Sequence, residues 1–126
     1  MNLPAPLRRV AARARAADWL LASPDAEIRA IGREWAAKAQ RYGERDRLLI
    51  DGRARFLPNM SNRAAAAELA AQWRRYEAAG WFRERTLDEL PPSHAGRITE
   101  VFWRAMKLCP HALSAERLRR LWGDYE

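Results

Sequence analysis

The guanidinium groups of arginine offer this chain its main binding chemistry. Arginine occurs 21 times and lysine twice, against 16 acidic residues, so the formal net charge is +7 and the sequence pI is about 10.7. A surplus of positive charge is typical of proteins that bind polyanions, most often nucleic acid. A GC-rich genome would also favour arginine over lysine, but such a bias does not explain the positive net charge.

The densest cluster lies on a helix that the apolar spacing predicts over residues 6–22. It is an aromatic side chain among guanidiniums: Arg8, Arg9, Arg13, Arg15 and Trp19. At about 100° per residue, Arg8, Arg15 and Trp19 fall within one narrow arc. Arginine neutralises phosphate and tryptophan stacks on an unpaired base, so we assign this cluster to a nucleic-acid surface. The alternative is that Trp19 packs against the rest of the protein with Arg15 on its ring.

A second candidate surface is a predicted loop that carries four arginines, Arg45, Arg47, Arg53 and Arg55, where the helical pattern changes. Asp51 and Gly52 stand there between two apolar runs, and this placement is a strong signal for a hairpin turn. A β-hairpin over residues 47–57 would place Arg53 and Arg55 on one face, because side chains alternate along a strand. We assign them to the nucleic-acid surface as well. An irregular loop with local ion pairs is the alternative.

The C-terminal part carries a candidate surface for a protein partner. Trp103 lies beside Lys107 and off the main apolar stripe of its predicted helix, as an interface anchor would. Arg117 and Arg120 on the last predicted helix extend this surface. The alternatives are that Trp103 flanks the core and that the two arginines complement the dipole of their helix.

No catalytic, cofactor-binding or metal-binding set of residues is evident. Cys109 falls on the apolar face of its predicted helix, where a thiol is usually inert. Together with His94 and His111 it falls short of the four ligands of a structural zinc site. The chain has no glycine-rich phosphate loop and none of the common catalytic motifs. We therefore predict a protein that is not an enzyme and that uses no cofactor or metal.

These residues require a helical scaffold, which the sequence predicts as one all-α domain over residues 1–126. Capping residues and helical spacing predict about five helices in a compact bundle, with the hairpin at 47–57 as the only candidate β-structure. The predicted N-caps are Ser23, Ser61 or Asn62, Ser93 and Ser114, and a capped single turn is predicted at 86–89. Gly43 is predicted to end the second helix.

Apolar residues at three- and four-residue spacing predict which faces are buried. On the second helix the predicted core face includes Ile28, Ile31 and Trp35, followed by Lys38 and Tyr42. The later helices show similar stripes, namely Ala65, Leu69, Trp73 and Tyr76 on the third and Ile98, Val101, Phe102, Ala105, Met106 and Cys109 on the fourth.

Three functional hypotheses follow. The first is a non-enzymatic module that contacts the nucleic-acid backbone as an accessory subunit or regulator of a nucleoprotein complex. The second is a protein-interaction module or inhibitor that docks through Trp19, Trp81, Trp103 or Trp122 with an arginine rim. The third, compatible with either, is a homo-oligomeric helical scaffold. DNA and RNA remain equal candidates, and the oligomeric state stays open.

Three features of the sequence bear on where in the cell the protein is found. No apolar run is long enough to span a membrane, and the first residues do not read as a signal peptide. The single cysteine cannot form an internal disulfide. We therefore expect a cytoplasmic protein that does not bind membranes.

Overall fold

Six α-helices form the fold of the part of the chain that the computed structural model describes, residues 5–123, with side chains within residues 8–123. The helices are α1 (Ala5–Leu21), α2 (Ala26–Phe56), α3 (Asn62–Ala78), α4 (Gly80–Glu84), α5 (Ile98–Leu108) and α6 (Ala115–Leu121), and a 3-10 turn (Pro92–His94) precedes α5. The predicted all-α class is confirmed. None of the helices in this part is long and apolar enough to cross a lipid bilayer.

Helix α2 continues through the two glycines that the sequence analysis treated as turn residues. It has 31 residues, so the predicted end at Gly43 and the predicted hairpin at 47–57 are both wrong. Gly43 and Gly52 are buried contact points: a Cβ atom would lie 3.2 Å from Val10 Cγ1 at Gly43 and 3.2 Å from Val101 Cγ2 at Gly52. Because glycine has no side chain, both positions leave room for neighbouring helices. The local sequence around a glycine does not reveal such a contact.

Helix α1 lies antiparallel along the first half of α2. The two helices approach closely at Gly32, where a Cβ atom would lie 3.0 Å from both Leu20 Cβ and Leu21 N. Ala17, which is fully buried, faces this contact. The turn between the helices is capped by Asp25, whose carboxylate accepts from Glu27 N at 2.8 Å and Ile28 N at 3.3 Å. Ser23, the predicted cap, accepts instead from the backbone N–H of Asp25.

The predicted core face of the second helix is only partly buried. Ile28, Ile31 and Trp35 are 38 %, 45 % and 47 % exposed. The prediction is wrong because α1 packs against a different ridge of α2. This ridge consists of three small, buried residues, Gly32, Ala39 and Gly43. Small residues permit a close helix approach, and the larger side chains are left on the flank of the contact.

The hydrophobic core lies where the C-terminal half of α2 meets α3, α5 and α6. Trp73 stacks on Phe102 with ring centroids 5.5 Å apart, and both residues are fully buried. The stripe that the sequence predicts on the third helix is buried in α3. The stripe predicted on the fourth helix lies in α5 and at its end: Ile98 is half-buried, and the buried members are Val101, Phe102, Ala105, Met106 and Cys109. Ser61 and Ser114 cap α3 and α6 as predicted, because each hydroxyl accepts a backbone N–H of the first turn.

The segment between α3 and α5 differs from the prediction. Residues 86–89 are not helical. Ser93 lies in the 3-10 turn instead of capping α5, because the left-handed backbone of Gly96, with a φ of 76°, separates this turn from the helix. Glu84 ties the segment together: it accepts from Tyr76 Oη at 2.8 Å and lies 2.8 Å from His94 Nε2. Burial, with a contribution from Glu84, raises the pKa of Tyr76 well above its usual range.

Candidate anion-binding cleft

A cleft of about 500 Å³ opens between α1, α2, the segment that follows α5, and α6. Among the residues that the structure describes, seven of those lining the cleft are cationic and one, Asp46, is acidic. The cationic residues are Arg9, Arg13, Lys38, Arg41, Arg45, Arg117 and Arg120. This concentration of positive charge on a concave surface identifies the cleft as the candidate functional site.

Helical spacing explains how each element delivers its cations. Arg9 and Arg13 are four residues apart on α1, so both project from one side of that helix. Lys38, Arg41 and Arg45 follow at steps of three and four along α2. Arg117 and Arg120 are three apart on α6. The close approach of α1 to α2 at Gly32 and Gly43 then brings the first set beside the second.

The carboxylate in the cleft wall belongs to a buried ion pair. Asp46 is 4 % exposed, and its Oδ1 accepts from Arg45 Nη2 at 2.9 Å and from Arg45 Nε at 3.1 Å. Burial raises the pKa of the Asp46 carboxyl, while the positive charges of Arg45 and Arg117 oppose that rise. The remaining six cations of the described lining therefore face the cleft without a second carboxylate in its wall.

The Tyr42 ring organises several of these cations. The charged groups of Arg45, Lys38 and Arg13 lie 4.9, 5.6 and 6.0 Å from its centroid. A cation near the face of an aromatic ring is attracted by the ring quadrupole. Tyr42 thereby offsets part of the repulsion between like charges and contributes an aromatic surface to the cleft.

One cation of the cleft rim also has an acidic neighbour. Arg120 Nη2 lies 2.6 Å from Glu116 Oε1, one turn earlier on α6. The two side chains are 60 % and 72 % exposed, so water screens the pair and it contributes little free energy. A phosphate could displace the Glu116 contact at low cost.

The structure brings four of the predicted site residues together. Arg9 and Arg13, assigned to nucleic acid, and Arg117 and Arg120, assigned to a protein partner, line the same cleft. The two pairs were predicted to belong to different surfaces because they lie more than a hundred positions apart in the chain and meet only through packing.

Three other predicted residues lie on the outer face of α1. Trp19 is 78 % exposed and lies about 200° around the helix from the buried Ala17, at 100° per residue. The same wheel places Arg8 and Arg15 on this outer side. The alternative, that Trp19 packs into the protein, is wrong, because most of its surface is exposed.

Arg53 and Arg55 are not among the residues that line the cleft. They do not share a strand face either, because both lie in the helix α2. Arg53 donates to the carbonyl oxygens of Leu57 and Met60 and lies 5.6 Å from the Trp122 ring centroid. It therefore closes the end of α2 and joins it to the C-terminal segment. The Arg55 guanidinium lies 4.9 Å from the ring centroid of Phe56.

Trp103 and Lys107 do not form an exposed anchor. Trp103 is 5 % exposed, and its Nε1 donates to the carbonyl of Glu84 at 3.2 Å. Lys107 Nζ donates to the carbonyls of Arg85 and Leu87. The prediction of a partner-facing Trp103 is corrected: both side chains fasten the segment after α4, and the alternative of a core-flanking position holds.

The site residues assigned from sequence do not include three cations of the described cleft lining, Lys38, Arg41 and Arg45. Lys38 was placed on a core face, and Arg45 was noted only as part of a basic loop, because Gly43 was taken as a helix end. Their spacing of three and four residues was the available signal, but it requires an uninterrupted helix.

Cys109 and His111 lie in the cleft wall beside the cations. Cys109 is 6 % exposed, and burial raises the pKa of its thiol although Arg45 and Arg41 oppose this. The thiol is therefore protonated at neutral pH and is a poor nucleophile. No group of three or more metal-ligating side chains occurs within the described residues.

Comparison with known proteins adds no assignment: no protein-family model, no curated protein and no solved structure matches this chain.

Proposed function

We propose that this protein is a non-enzymatic binding module that contacts the phosphate backbone of nucleic acid through the cationic cleft. The observation that carries the proposal is the convergence of seven cationic side chains from three helices on one concave surface whose described lining holds a single carboxylate. A module of this kind suits an accessory subunit or regulator of a cytoplasmic nucleoprotein complex.

The physical basis is charge neutralisation. Each phosphate that meets a guanidinium releases counterions, and this release drives binding that does not depend on base sequence. Arginine is well matched to phosphate because its planar group donates two parallel hydrogen bonds. Of the seven cations in the described lining, Arg45 is paired with Asp46 and Arg120 contacts the exposed Glu116; the other five suffice for several phosphates at once.

The proposal is tested by titrating labelled single-stranded and duplex oligonucleotides with the protein at about 50 mM and 200 mM salt. The variant Arg9→Glu/Arg13→Glu reverses two cleft charges and should abolish binding. Arg74→Glu/Arg75→Glu makes the same charge change on exposed residues of α3, outside the cleft, and should retain most of it. Absence of binding by the unaltered protein at the lower salt would refute the proposal. Equal losses in both variants would refute the cleft as the site.

Docking on a protein is the second candidate, supported by the 78 % exposure of Trp19. A large aromatic side chain on a surface surrounded by arginine is typical of interface hot spots. Of the other tryptophans named above, Trp103 is buried, while Trp81 and Trp122 are half-buried. If the protein fails to bind any oligonucleotide, the outer face of α1 becomes the leading site.

A further inference from the structure

We infer that the cleft binds single-stranded nucleic acid whose unpaired bases stack along α2. This inference rests on the proposed function and specifies its ligand. The surface concerned, called here the α2 track, consists of Ile31, Trp35, Lys38 and Tyr42.

The α2 track is continuous with the cleft. Its members follow at steps of four, three and four residues, so they form one stripe along the helix. Lys38 and Tyr42 line the cleft, and the stripe continues from there to Trp35 and Ile31, which are 47 % and 45 % exposed. Two exposed apolar side chains therefore lead directly out of the cationic cleft.

This combination distinguishes between forms of nucleic acid. Proteins that bind single strands combine a positively charged groove with aromatic side chains on which bases stack. Proteins that read duplex DNA insert a protruding helix or ribbon into a groove of the DNA. Here the cations surround a depression, and the aromatic residues adjoin it, so the arrangement fits a strand whose bases are accessible.

The distance between the two aromatic side chains suits bases about three nucleotides apart. Trp35 and Tyr42 are seven residues apart, which is about 10.5 Å along the helix at 1.5 Å per residue. A strand of about three stacked nucleotides spans this length at 3.4 Å per nucleotide. Its phosphates would then lie near Lys38 and Arg13, whose charged groups lie 5.6 and 6.0 Å from the Tyr42 ring centroid.

The decisive experiment compares three fluorescent ligands of about 15 nucleotides, near the upper end of the size of one binding site. They are a mixed-sequence single strand, its duplex, and an abasic strand with the same phosphates but no bases; an RNA single strand extends the comparison. The intact single strand should bind more tightly than the duplex and the abasic strand. Trp35→Ala should weaken binding of the intact strand about 5- to 150-fold, the usual range for loss of one stacked base.

Trp35→Ala should leave the affinity for the abasic strand nearly unchanged, which a general loss of structure would not do. Trp35→Phe, which retains an aromatic ring, should restore most of the affinity. Phe82→Ala removes another exposed aromatic side chain, one that is 68 % exposed and lies outside the cleft, and should have no effect.

The outcomes separate this inference from the proposed function. If all ligands bind through the cleft arginines but the duplex binds as tightly as the single strand, or Trp35→Ala changes nothing, the cleft binds nucleic acid and the α2 track does not stack bases. If no ligand binds, the proposed function itself fails. If Trp35→Ala instead converts an oligomer to a monomer in sedimentation with unchanged nucleic-acid affinity, the α2 track is an interface between copies of this chain.

Discussion

Asp46, the one buried acid in the described part of the cleft wall, shows how one residue adjusts a cationic site. Asp46 holds Arg45 in place through two hydrogen bonds and at the same time cancels one positive charge. Because burial outweighs the attraction of the arginines, the pKa of Asp46 is raised, and the folded protein binds the proton of this carboxyl more tightly than the unfolded chain does. The ionised form of Asp46 is therefore a cost to stability at neutral pH.

We predict that Asp46→Asn does not destabilise the protein at pH 7 and slightly raises its Tm. The amide oxygen still accepts from Arg45, and the cost of burying the Asp46 charge disappears. The loss of a counter-ion for the largely buried Arg45 opposes this gain, so we expect the rise in Tm to be small. The stabilisation should fade as the pH falls through the raised pKa of Asp46, because the native carboxyl is then neutral as well. The same variant should bind an oligonucleotide about 2- to 5-fold more tightly, since a negative charge near the phosphates is lost. A fall of several degrees in Tm at pH 7 would mean that the ion pair is net stabilising.

At the scale of elements, the position of α1 against α2 determines whether the cleft exists. This contact depends on glycines, and their neighbours differ in a way that can be tested. At Gly32 a Cβ atom would meet backbone, Leu21 N at 3.0 Å and Ala17 O at 3.1 Å. At Gly43 it would meet the side chain of Val10 at 3.2 Å, which can rotate or shift.

We predict that Gly32→Ala lowers the free energy of unfolding by about 1–2 kcal/mol relative to Gly43→Ala, because a backbone cannot move aside without separating the helices. Both substitutions lie inside α2, so the gain in helix propensity of about 1 kcal/mol is common to both and cancels in the comparison. Urea unfolding followed by circular dichroism measures the difference. Gly32→Ala should also weaken oligonucleotide binding, since it displaces Arg9 and Arg13. Equal stabilities of the two variants would show that α1 tolerates displacement.

Local signals in the sequence predicted part of this architecture. The caps of α3 and α6 depend on a hydroxyl and the backbone next to it, so Ser61 and Ser114 were identifiable from sequence alone. Gly43 and Gly52 were wrongly predicted as turn residues. They lie inside a helix and make room for Val10 and Val101, which are distant in sequence. Arg9 and Arg117 were found as cations, but their common cleft could not be predicted, since it depends on how α1 and α6 pack around α2.

At the scale of the whole molecule, the +7 net charge matters through its distribution. A cation raises affinity for nucleic acid most when it contacts a phosphate, whereas a cation elsewhere acts only through the screened field of the protein. The structure places the described cations in two different regions: those of the cleft come from α1, α2 and α6, while other arginines, such as Arg74 and Arg75 on α3, lie outside the cleft.

The salt dependence of binding measures this distinction. For a single strand, the logarithm of affinity falls with the logarithm of salt concentration with a slope of about −0.7 for each phosphate neutralised. Replacing Arg41 and Arg117, which reach the cleft from different helices, by glutamine should make the slope shallower by about 1.4, the contribution of two phosphates. Arg74→Gln/Arg75→Gln removes the same charge and should leave the slope unchanged while lowering affinity slightly at low salt. Identical slopes in the two variants would mean that phosphates are held by the diffuse charge of the protein, and the cleft would then have no special part in binding.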